Sequence, residues 1–371
     1  MVRLDMAERL LRDVAPSLYR AYLPAFFDHE APREEKATCG SCVMLPPKDE
    51  ARPLGITYFL PETKCCTFHP TLPNYLVGAA LADARPEMEE GKRRLRGRIA
   101  SRVAVSPRWL AAPRKFDLLL KGSWTNTMGR SLMMRCPLYS PEHGGCTIWP
   151  HWEGVCATFF CKYMAAADGE AFWRSIRMYL SYLQRALTLE AARAFLPGHD
   201  EPAPFGKLTL EDLEDRPPTE ENYAALWHDW VGREEELYLA CHAWVQALRR
   251  EDFERIVGGP EHDERLAAVQ HTHDLMVNPR LPETLVKNPK LDERPREDGV
   301  LVTGYSHYEP LLLTKDLYAV TRVFDGTRTV ADVRAQLKRD EDLDVPEEIL
   351  LGLHRYHVLV TPAQAAAIAR G

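Results

Sequence analysis

Apolar residues recur at intervals of three and four along the middle of the chain, which is the period of an amphipathic helix. One such stretch runs from Phe172 to Leu187, and Asp168 is predicted to cap its amino terminus. A second stretch runs from Thr219 to Leu248, and a third covers residues 258–276. We therefore predict a helical region over residues 166–298.

The amino-terminal part of the chain carries a shorter pattern of the same kind. Its apolar residues between Leu4 and Val14 share one helical face, and Pro16 ends the run. This pattern predicts a helical segment within residues 1–35. Because helical patterns outnumber strand patterns along the chain, the predicted fold class is mostly α with minor β.

The last block of the chain is predicted to form a small module. Thr329 can cap a helix with apolar residues at helical spacing, and Pro346 stands near the start of a second helix. Residues 358–360 then have the composition of a strand. A strand, two helices and a closing strand are typical of a winged-helix-like domain, which we expect over residues 299–371.

Residues 136–161 interrupt the regular pattern. Pro137, Pro141 and Pro150 each remove a backbone donor, so the segment cannot be a single helix or a single strand. It carries four cysteines that are separated by nine, nine and four residues. Something other than a regular backbone ladder must therefore fix its shape.

Four more cysteines lie upstream, as one Cys-x-x-Cys knuckle and one adjacent pair. Soft thiolate ligands on irregular backbone are what zinc and iron–sulfur sites require. We therefore predict a cysteine-cluster metal domain over residues 36–165, in which eight sulfur atoms gather around an inorganic centre. The predicted ligands are Cys39, Cys42, Cys65, Cys66, Cys136, Cys146, Cys156 and Cys161.

Composition changes the interpretation of these cysteines. The chain has 371 residues, 45% hydrophobic and 27% charged, as expected of a soluble globular protein with a large core. Its formal net charge of −7 argues against a nucleic-acid binder. We recognise no secretory signal and no apolar run long enough to span a membrane, so we expect a cytoplasmic protein without a membrane partner. In a reducing compartment, clustered cysteines more often bind metal than form disulfides.

Several other groups are interpreted as structural. Cys241 lies on the apolar face of the second helical pattern and is predicted to be a core thiol. His69, His143 and His151 are candidate substitute ligands, but each is expected to be an ordinary imidazole. The stretch 85–115 has ten Lys or Arg against three Glu, and we expect a solvated face there rather than an anion-binding surface.

The spacing leaves the identity of the metal open. A four-cysteine site suits either zinc or an iron–sulfur cluster. The chain has neither the paired Cys-x-x-Cys motifs of a zinc ribbon nor the Cys-x-x-Cys-x-x-Cys run of bacterial ferredoxins.

The stretch from Cys146 to Cys161 resembles the YkgJ-type cysteine-cluster family, which is described as zinc- or iron-chelating. That family has the pattern Cys-x-Ile-Tyr-x-x-Arg-Pro-x-x-Cys-x-x-Phe-x-Cys. The positions that match in place are Cys146, Ile148, Cys156, Phe159 and Cys161. The resemblance covers about residues 36–165 and implies metal binding.

This chain departs from the family pattern at three places. Trp149 stands for the tyrosine, and Trp152 and Glu153 stand for the Arg-Pro pair. In addition, 22 residues separate Cys42 from Cys65, so the adjacent cysteine pair does not follow closely behind the knuckle.

Two further resemblances bear on activity and partners. The bacterial flagellin lysine methylases share the cysteine motif, which implies an iron–sulfur cluster beside a protein-modifying reaction. The stretch from Phe324 to Val330, together with Leu353, Val358 and Leu359, is similar to the PqqD-like peptide-recognition module. That likeness implies a protein or peptide partner, captured by adding a strand to a sheet edge.

Two hypotheses about function follow from the sequence. The first is an iron–sulfur protein, with a 4Fe–4S cluster preferred, in a redox or protein- or peptide-modifying role. The second is a zinc-stabilised binding or scaffold protein without catalysis. We find no Gly-x-Ser-x-Gly, His-Glu-x-x-His or Gly-x-Gly-x-x-Gly motif in a suitable context, so catalytic residues stay unassigned.

Overall fold

The fold is described from a computed structural model of the chain. It is 54% helical with 10% of residues in strands, and its sheets are small, which confirms the predicted mostly-α class. The residues that the structure describes are 9–37, 42–46, 58–123, 127–196 and 209–370.

Helices of very different length carry most of the described residues. The α-helices are α1 (Asn74–Ala82), α2 (Glu89–Ser101), α3 (Arg114–Gly122), α4 (Gly154–Thr158), α5 (Ala166–Phe195), α6 (Leu210–Leu213), α7 (Glu220–Trp227), α8 (Glu234–Gln246), α9 (Arg250–Val257), α10 (Pro260–Val277), α11 (Lys315–Thr321), α12 (Val330–Glu341), α13 (Glu347–Arg355) and α14 (Pro362–Arg370). Single 3₁₀ turns occupy Leu11–Val14, Arg20–Tyr22, Ala25–Asp28, Pro86–Met88, Leu132–Met134, Trp149–His151 and His228–Trp230.

The strands are short and pair antiparallel in four small sheets. They are β1 (Leu72–Pro73), β2 (Trp109–Leu110), β3 (Tyr139–Ser140), β4 (Gly145–Cys146), β5 (Thr284–Lys287), β6 (Asp292–Pro295), β7 (Val300–Thr303), β8 (Leu311–Leu313), β9 (Asp325–Thr329) and β10 (Leu359–Val360). β1 pairs with β2, and β3 pairs with β4. The other two sheets have the orders β6-β7-β8 and β10-β5-β9.

The chain forms two compact units that alternate along the sequence. The first unit comprises Met1–Arg33, Tyr58–Phe159 and Arg174–Ala268, and the second comprises Glu34–Thr57, Phe160–Trp173 and Val269–Gly371. The predicted metal domain, residues 36–165, therefore contributes to both units. The division of the chain into four successive domains stays a prediction.

In the first unit, α1 packs closely along α8. Gly78 makes this approach possible, because a Cβ atom there would lie 1.9 Å from the carbonyl oxygen of Tyr238. Nearly every side chain of α1 is buried, and Tyr75 and Leu76 have at most 1% of their surface exposed. α1 also contacts α2 and the 3₁₀ turn Trp149–His151, which lies between Cys146 and Cys156.

The longest sequence pattern is confirmed by α5, whose Phe172, Ile176, Leu180 and Leu187 are fully buried. The predicted cap is wrong, because the helix begins at Ala166 and Asp168 lies within its first turn. Asp168 instead forms an ion pair with Arg355, and both residues belong to the second unit.

The second helical pattern, from Thr219 to Leu248, was expected to be one helix and is two. α7 ends at Trp227, because His228 takes a positive φ of 48°, and Gly232 follows at 77° before α8 begins. The third pattern is confirmed by α10.

The predicted amino-terminal helix is wrong over the described residues. Leu11–Val14 is a single 3₁₀ turn, and further 3₁₀ turns follow it. Prolines at positions 16 and 24 explain why no longer helix forms, since each removes a backbone donor. Leu4 lies outside the described residues.

In the second unit, one buried apolar cluster joins strands and helices of the carboxyl-terminal part. Its members include Leu285 of β5, Val333 and Leu337 of α12, and Leu350 and Leu353 of α13. The predicted cap at position 329 is confirmed, since the threonine side chain accepts a hydrogen bond from the backbone of residue 332. The predicted helices and closing strand are also present, and the winged-helix-like description stays a prediction.

None of the helices within the described residues has the length and apolar character needed to cross a bilayer.

Candidate metal centre

The structure divides seven of the eight predicted ligands between the two units. Five of them, Cys65, Cys66, Cys136, Cys146 and Cys156, belong to the first unit. Cys136 is buried, with 7% of its surface exposed, and the other four are half-buried. Two more, at positions 42 and 161, are half-buried residues of the second unit. Cys39 lies outside the described residues.

Backbone hydrogen bonds bring three of the five cysteines together. The amide of Cys136 donates to the carbonyl of Cys66 at 2.8 Å. Tyr139 then donates to the carbonyl of Cys136 at 3.0 Å, and it stands opposite Cys146 in the β3–β4 pair. The adjacent pair sits in consecutive turns over residues 61–67, within which Lys64 has a positive φ of 47°. Segments far apart in sequence thus meet through their backbones.

Cys156 is positioned by a buried carboxylate. Glu153 caps α4, where its Oε1 accepts from the Cys156 amide at 2.9 Å and its Oε2 accepts from Val155 at 2.6 Å. The next amide, of Gly154, donates to Oε1 of Gln184 on α5 at 3.1 Å. A side chain at Gly154 would approach Leu180 Cβ to 3.2 Å, so glycine lets α4 lie close to α5.

The five thiols of the first unit interact electrostatically. A hydrogen bond from Cys66 to Cys65 raises the pKa of Cys66 and lowers that of Cys65. The charges of Cys136 and Cys146 raise the pKa of Cys66 further. Burial, with Cys146 next in importance, raises the pKa of Cys136 to about 12. Burial also raises the pKa of Cys146 and of Cys156. These groups form one cluster, in which ionising one thiol disfavours ionising its neighbours.

Few positive groups accompany this cluster. The nearby charge of Lys64 favours the thiolate of Cys65, and Arg98 favours that of Cys136. Glu153 acts in the opposite direction, because after burial its carboxylate is the largest cause of the raised pKa of Cys156. Ionising the five thiols beside this buried carboxylate would build up negative charge that only a bound cation could balance.

Helix α2 supports the loops that carry these thiols. Arg94 donates from Nη1 to the carbonyl of Pro137 at 2.7 Å, one residue after Cys136. On the same helix, a Cβ at Gly91 would lie 2.4 Å from the carbonyl oxygen of Thr147, so the helix packs directly on the residue after Cys146.

The basic stretch 85–115 is largely neutralised by ion pairs within the described residues. Its cations pair with acidic residues both inside and outside the stretch. The pairs are Arg85–Asp83, Lys92–Glu89, Arg93–Glu90, Arg94–Glu90, Arg96–Glu235, Arg102–Glu220, Arg114–Asp212 and Lys115–Asp215. Such pairing leaves little positive charge for an anionic partner.

The five thiols do not form disulfides with one another. Over residues 9–37, 42–46, 58–123, 127–196 and 209–370, no group of three or more His, Cys, Asp or Glu side chains has the arrangement of a metal site. The cluster therefore gathers suitable donors without presenting a finished coordination shell.

The remaining thiol and two histidines behave as structural groups. Cys241, predicted to be a core thiol, is fully buried and is confirmed in that role. His151 makes a 2.8 Å contact from Nε2 to Oδ2 of Asp83, and His143 is exposed. His69 is half-buried and stacks on the ring of Phe116.

Sequence reasoning missed the groups that position the thiols. Glu153 gave no clear signal, because glutamate is not among the residues that usually cap helices. Gln184, which binds the Gly154 amide, and Arg98, which acts on Cys136, are distant in sequence from the thiols. Their roles depend on tertiary packing, which no local spacing records.

No protein-family model, no curated protein and no solved structure matches this chain. The resemblances to the YkgJ-type and PqqD-like families therefore stay predictions.

Proposed function

We propose that the first unit binds a metal centre through the thiolates of Cys65, Cys66, Cys136, Cys146 and Cys156. The observation that carries the proposal is the backbone pairing that joins the separate segments of Cys66, Cys136 and Cys146, and the electrostatic interaction of the thiols supports it. Protein folding gains little by gathering groups that repel each other when ionised. Binding a cation removes that repulsion and releases the thiol protons.

The donor set fits this proposal by its chemistry. All five candidates are soft sulfur ligands, which select zinc or iron–sulfur clusters over hard cations. The loops that carry them are fixed by backbone hydrogen bonds and by the Glu153 cap. Rotation about the single χ1 torsion of each cysteine is the motion left to bring a sulfur atom to a centre.

We prefer an iron–sulfur cluster, of the 4Fe–4S type, to zinc. Five thiols exceed the four that either a closed zinc site or a 4Fe–4S cluster uses, so the preference does not rest on their number. The side chain of Trp152 also hydrogen-bonds to Cys146, and hydrogen bonds to sulfur are a means of tuning a reduction potential. Such a centre supplies electron transfer, and the proposed role is redox or protein- or peptide-modifying chemistry. Free thiolate ligands require a reducing compartment, so we propose that the protein works in the cytoplasm.

The proposed partner is a protein or peptide bound by the second unit. Its two three-stranded sheets have β6, β8, β9 and β10 as outer strands. An outer strand offers unpaired backbone groups to which an extended peptide can add.

Metal analysis of the anaerobically purified protein tests the proposal. We expect iron and acid-labile sulfide with broad visible absorption. The variant Cys66→Ser should lose most of this metal, because Cys66 interacts with three other thiols. The matched control Cys241→Ser changes a buried thiol outside the cluster and should keep it.

Three results would count against parts of the proposal. Stoichiometric zinc in a colourless protein would favour the zinc-stabilised scaffold. Metal lost equally in both variants would refute the cluster as the site. Purified protein that neither contains nor takes up metal would refute metal binding altogether.

A further inference from the structure

Helix α2 brings two arginines, one turn apart, to the loop that carries Cys136. Arg94 donates from Nη1 to the carbonyl of Pro137 at 2.7 Å. Arg98 follows four residues later, so it lies on the same face of the helix. Arg98 and Cys136 line one small cavity, whose volume is about 20 Å³. A guanidinium therefore lies close to a candidate ligand of the metal centre.

The guanidinium of Arg98 is held in place by the backbone. Its Nη2 donates to the carbonyl of Ala111 at 2.7 Å and to the carbonyl of Val103 at 3.3 Å. Both acceptors are uncharged, so these bonds fix the position of the positive charge without neutralising it. Arginine also stays protonated throughout the pH range of protein function. The structure thus fixes one positive charge beside Cys136.

The surroundings of this charge are mainly apolar. Apart from Arg98, Cys136 and a histidine, the residues that line the cavity are Pro70, Leu72, Leu110, Ala111, Pro137 and Leu138. The histidine is His69, and burial lowers its pKa to about 4, so its ring is neutral at pH 7. Arg98 is therefore the cation among the described residues of this lining. In such surroundings, two charges interact more strongly than they do at the protein surface.

A buried guanidinium needs a negative charge nearby. Burial lowers the pKa of Arg98, and Cys136 is the first of the ionisable groups that oppose this effect, ahead of Tyr238 and Asp215. Asp215 already pairs with Lys115 at 3.6 Å, and a tyrosine is ordinarily neutral at pH 7. Burying a charge without a partner is costly. The thiolate that Cys136 becomes on binding metal would be that partner.

We propose that Arg98 is the counter-charge of the metal centre and raises its reduction potential, acting through the thiolate of Cys136 without binding the metal. The inference rests on the proposed iron–sulfur site and deepens it. Four thiolates give an iron–sulfur cluster a net negative charge, which each added electron increases. A fixed positive charge beside one thiolate favours the reduced form, because net charge is among the factors that set the potential.

The test is a potentiometric titration of the full chain, purified anaerobically with its iron and followed by visible absorption. Arg98→Gln removes the charge and keeps an amide that can donate to the backbone carbonyls. Arg98→Lys keeps the charge. The matched control is Arg96→Gln, which removes a 52% exposed cation from the same helix, where it pairs with Glu235.

We expect Arg98→Gln to lower the equilibrium constant for reduction about tenfold, which is about 59 mV for one electron, at unchanged iron content. Arg98→Lys and Arg96→Gln should stay close to the unmodified protein. The difference caused by Arg98→Gln should persist in about 1 M salt, because a Debye length of about 3 Å screens exposed charges far more than buried ones.

An unchanged potential in Arg98→Gln at full iron content would overturn the inference. An equal fall in Arg98→Gln and Arg98→Lys would also overturn it, because packing rather than charge would then be responsible. If Arg98→Gln loses its iron, Arg98→Lys decides: iron kept there supports the counter-charge, and iron lost there as well refutes it.

A failure of the metal proposal gives a different pattern. Unmodified protein that contains no iron would refute the iron–sulfur site and this inference together. Iron-loaded protein whose potential does not depend on the charge at position 98 would refute this inference alone.

Discussion

Two clusters of polar side chains, one in each unit, differ in what they need to be stable. In the first unit, thiols and Glu153 all carry negative charge when ionised. In the second unit, Lys36 donates to Oε1 of Glu309 at 2.8 Å and to the hydroxyl of Tyr356 at 3.1 Å. Tyr305 also donates to Glu309. The second cluster contains both signs of charge, so its groups balance one another without a bound ion.

The titration behaviour of the two clusters reflects this difference. Against the cost of burial, the bonds to Glu309 and Tyr356 raise the pKa of Lys36 and keep it charged. Burial and neighbouring thiols instead hold Cys136 neutral. A set of complementary groups stabilises a fold directly, whereas a set of like groups becomes stabilising only with a bound cation.

The largest expected effect follows from removing that cation. If metal is present at about 1,000 times its dissociation constant, binding contributes about 4 kcal/mol to the free energy of unfolding. We therefore expect a chelator to lower the stability of the first unit by about that amount, measured by denaturant unfolding with limited proteolysis. Cys66→Ser should be insensitive to the chelator. If the chelator made both units equally sensitive to proteolysis, the proposed difference between the two clusters would be contradicted.

A smaller effect is expected from breaking the cluster of the second unit. Lys36→Met leaves the carboxylate of Glu309, whose side chain is 12% exposed, without its cation. Because the lysine side chain is itself 32% exposed, we expect a loss of about 2 kcal/mol rather than the full value for a buried pair. Denaturant unfolding measures it. The double variant Lys36→Met, Glu309→Gln should recover part of the loss, and no recovery would mean that packing rather than charge is responsible.

The smallest effect concerns acid. Burial lowers the pKa of His357 in the second unit from 6.5 to about 4. The unfolded chain then binds a proton more readily, so this stability is present above pH 6.5 and is lost as the pH falls toward 4. Between pH 7 and pH 5.5 we expect a loss of about 1 kcal/mol, measured by denaturant unfolding. His357→Asn should remove that part of the acid sensitivity, since asparagine tolerates the positive φ at this position. An unchanged pH profile would contradict the assignment.

Periodicity predicted the parts of the fold whose structure is determined locally. The buried face of α5 and the capped helix after Thr329 could both be found from spacing and cap residues. The break after Trp227 could not be predicted from the sequence, because the residue type of His228 does not require the uncommon backbone conformation that it adopts. The amino-terminal run had helical spacing but too many prolines nearby to extend beyond single turns.

The sequence indicated which cysteines to consider as ligands, and it gave no signal for the residues around them. Cysteine is rare enough for spacing to single out eight candidate positions, five of which lie in the first unit, and that they bind metal stays a prediction. Glu153, Arg98 and Gln184 are common residue types, and only the fold shows that they lie beside the thiols. The grouping of Cys42 and Cys161 with the second unit also depends on long-range contacts.

The alternation of the two units along the chain has a consequence for synthesis on the ribosome. The second unit draws on Glu34–Thr57, Phe160–Trp173 and Val269–Gly371, whereas the first is complete in sequence at Ala268. During translation, the second unit therefore stays incomplete until its last segment is made, which begins more than two hundred residues after Thr57. In the cell, the thiol-bearing unit can thus be finished while the other still lacks its last hundred residues.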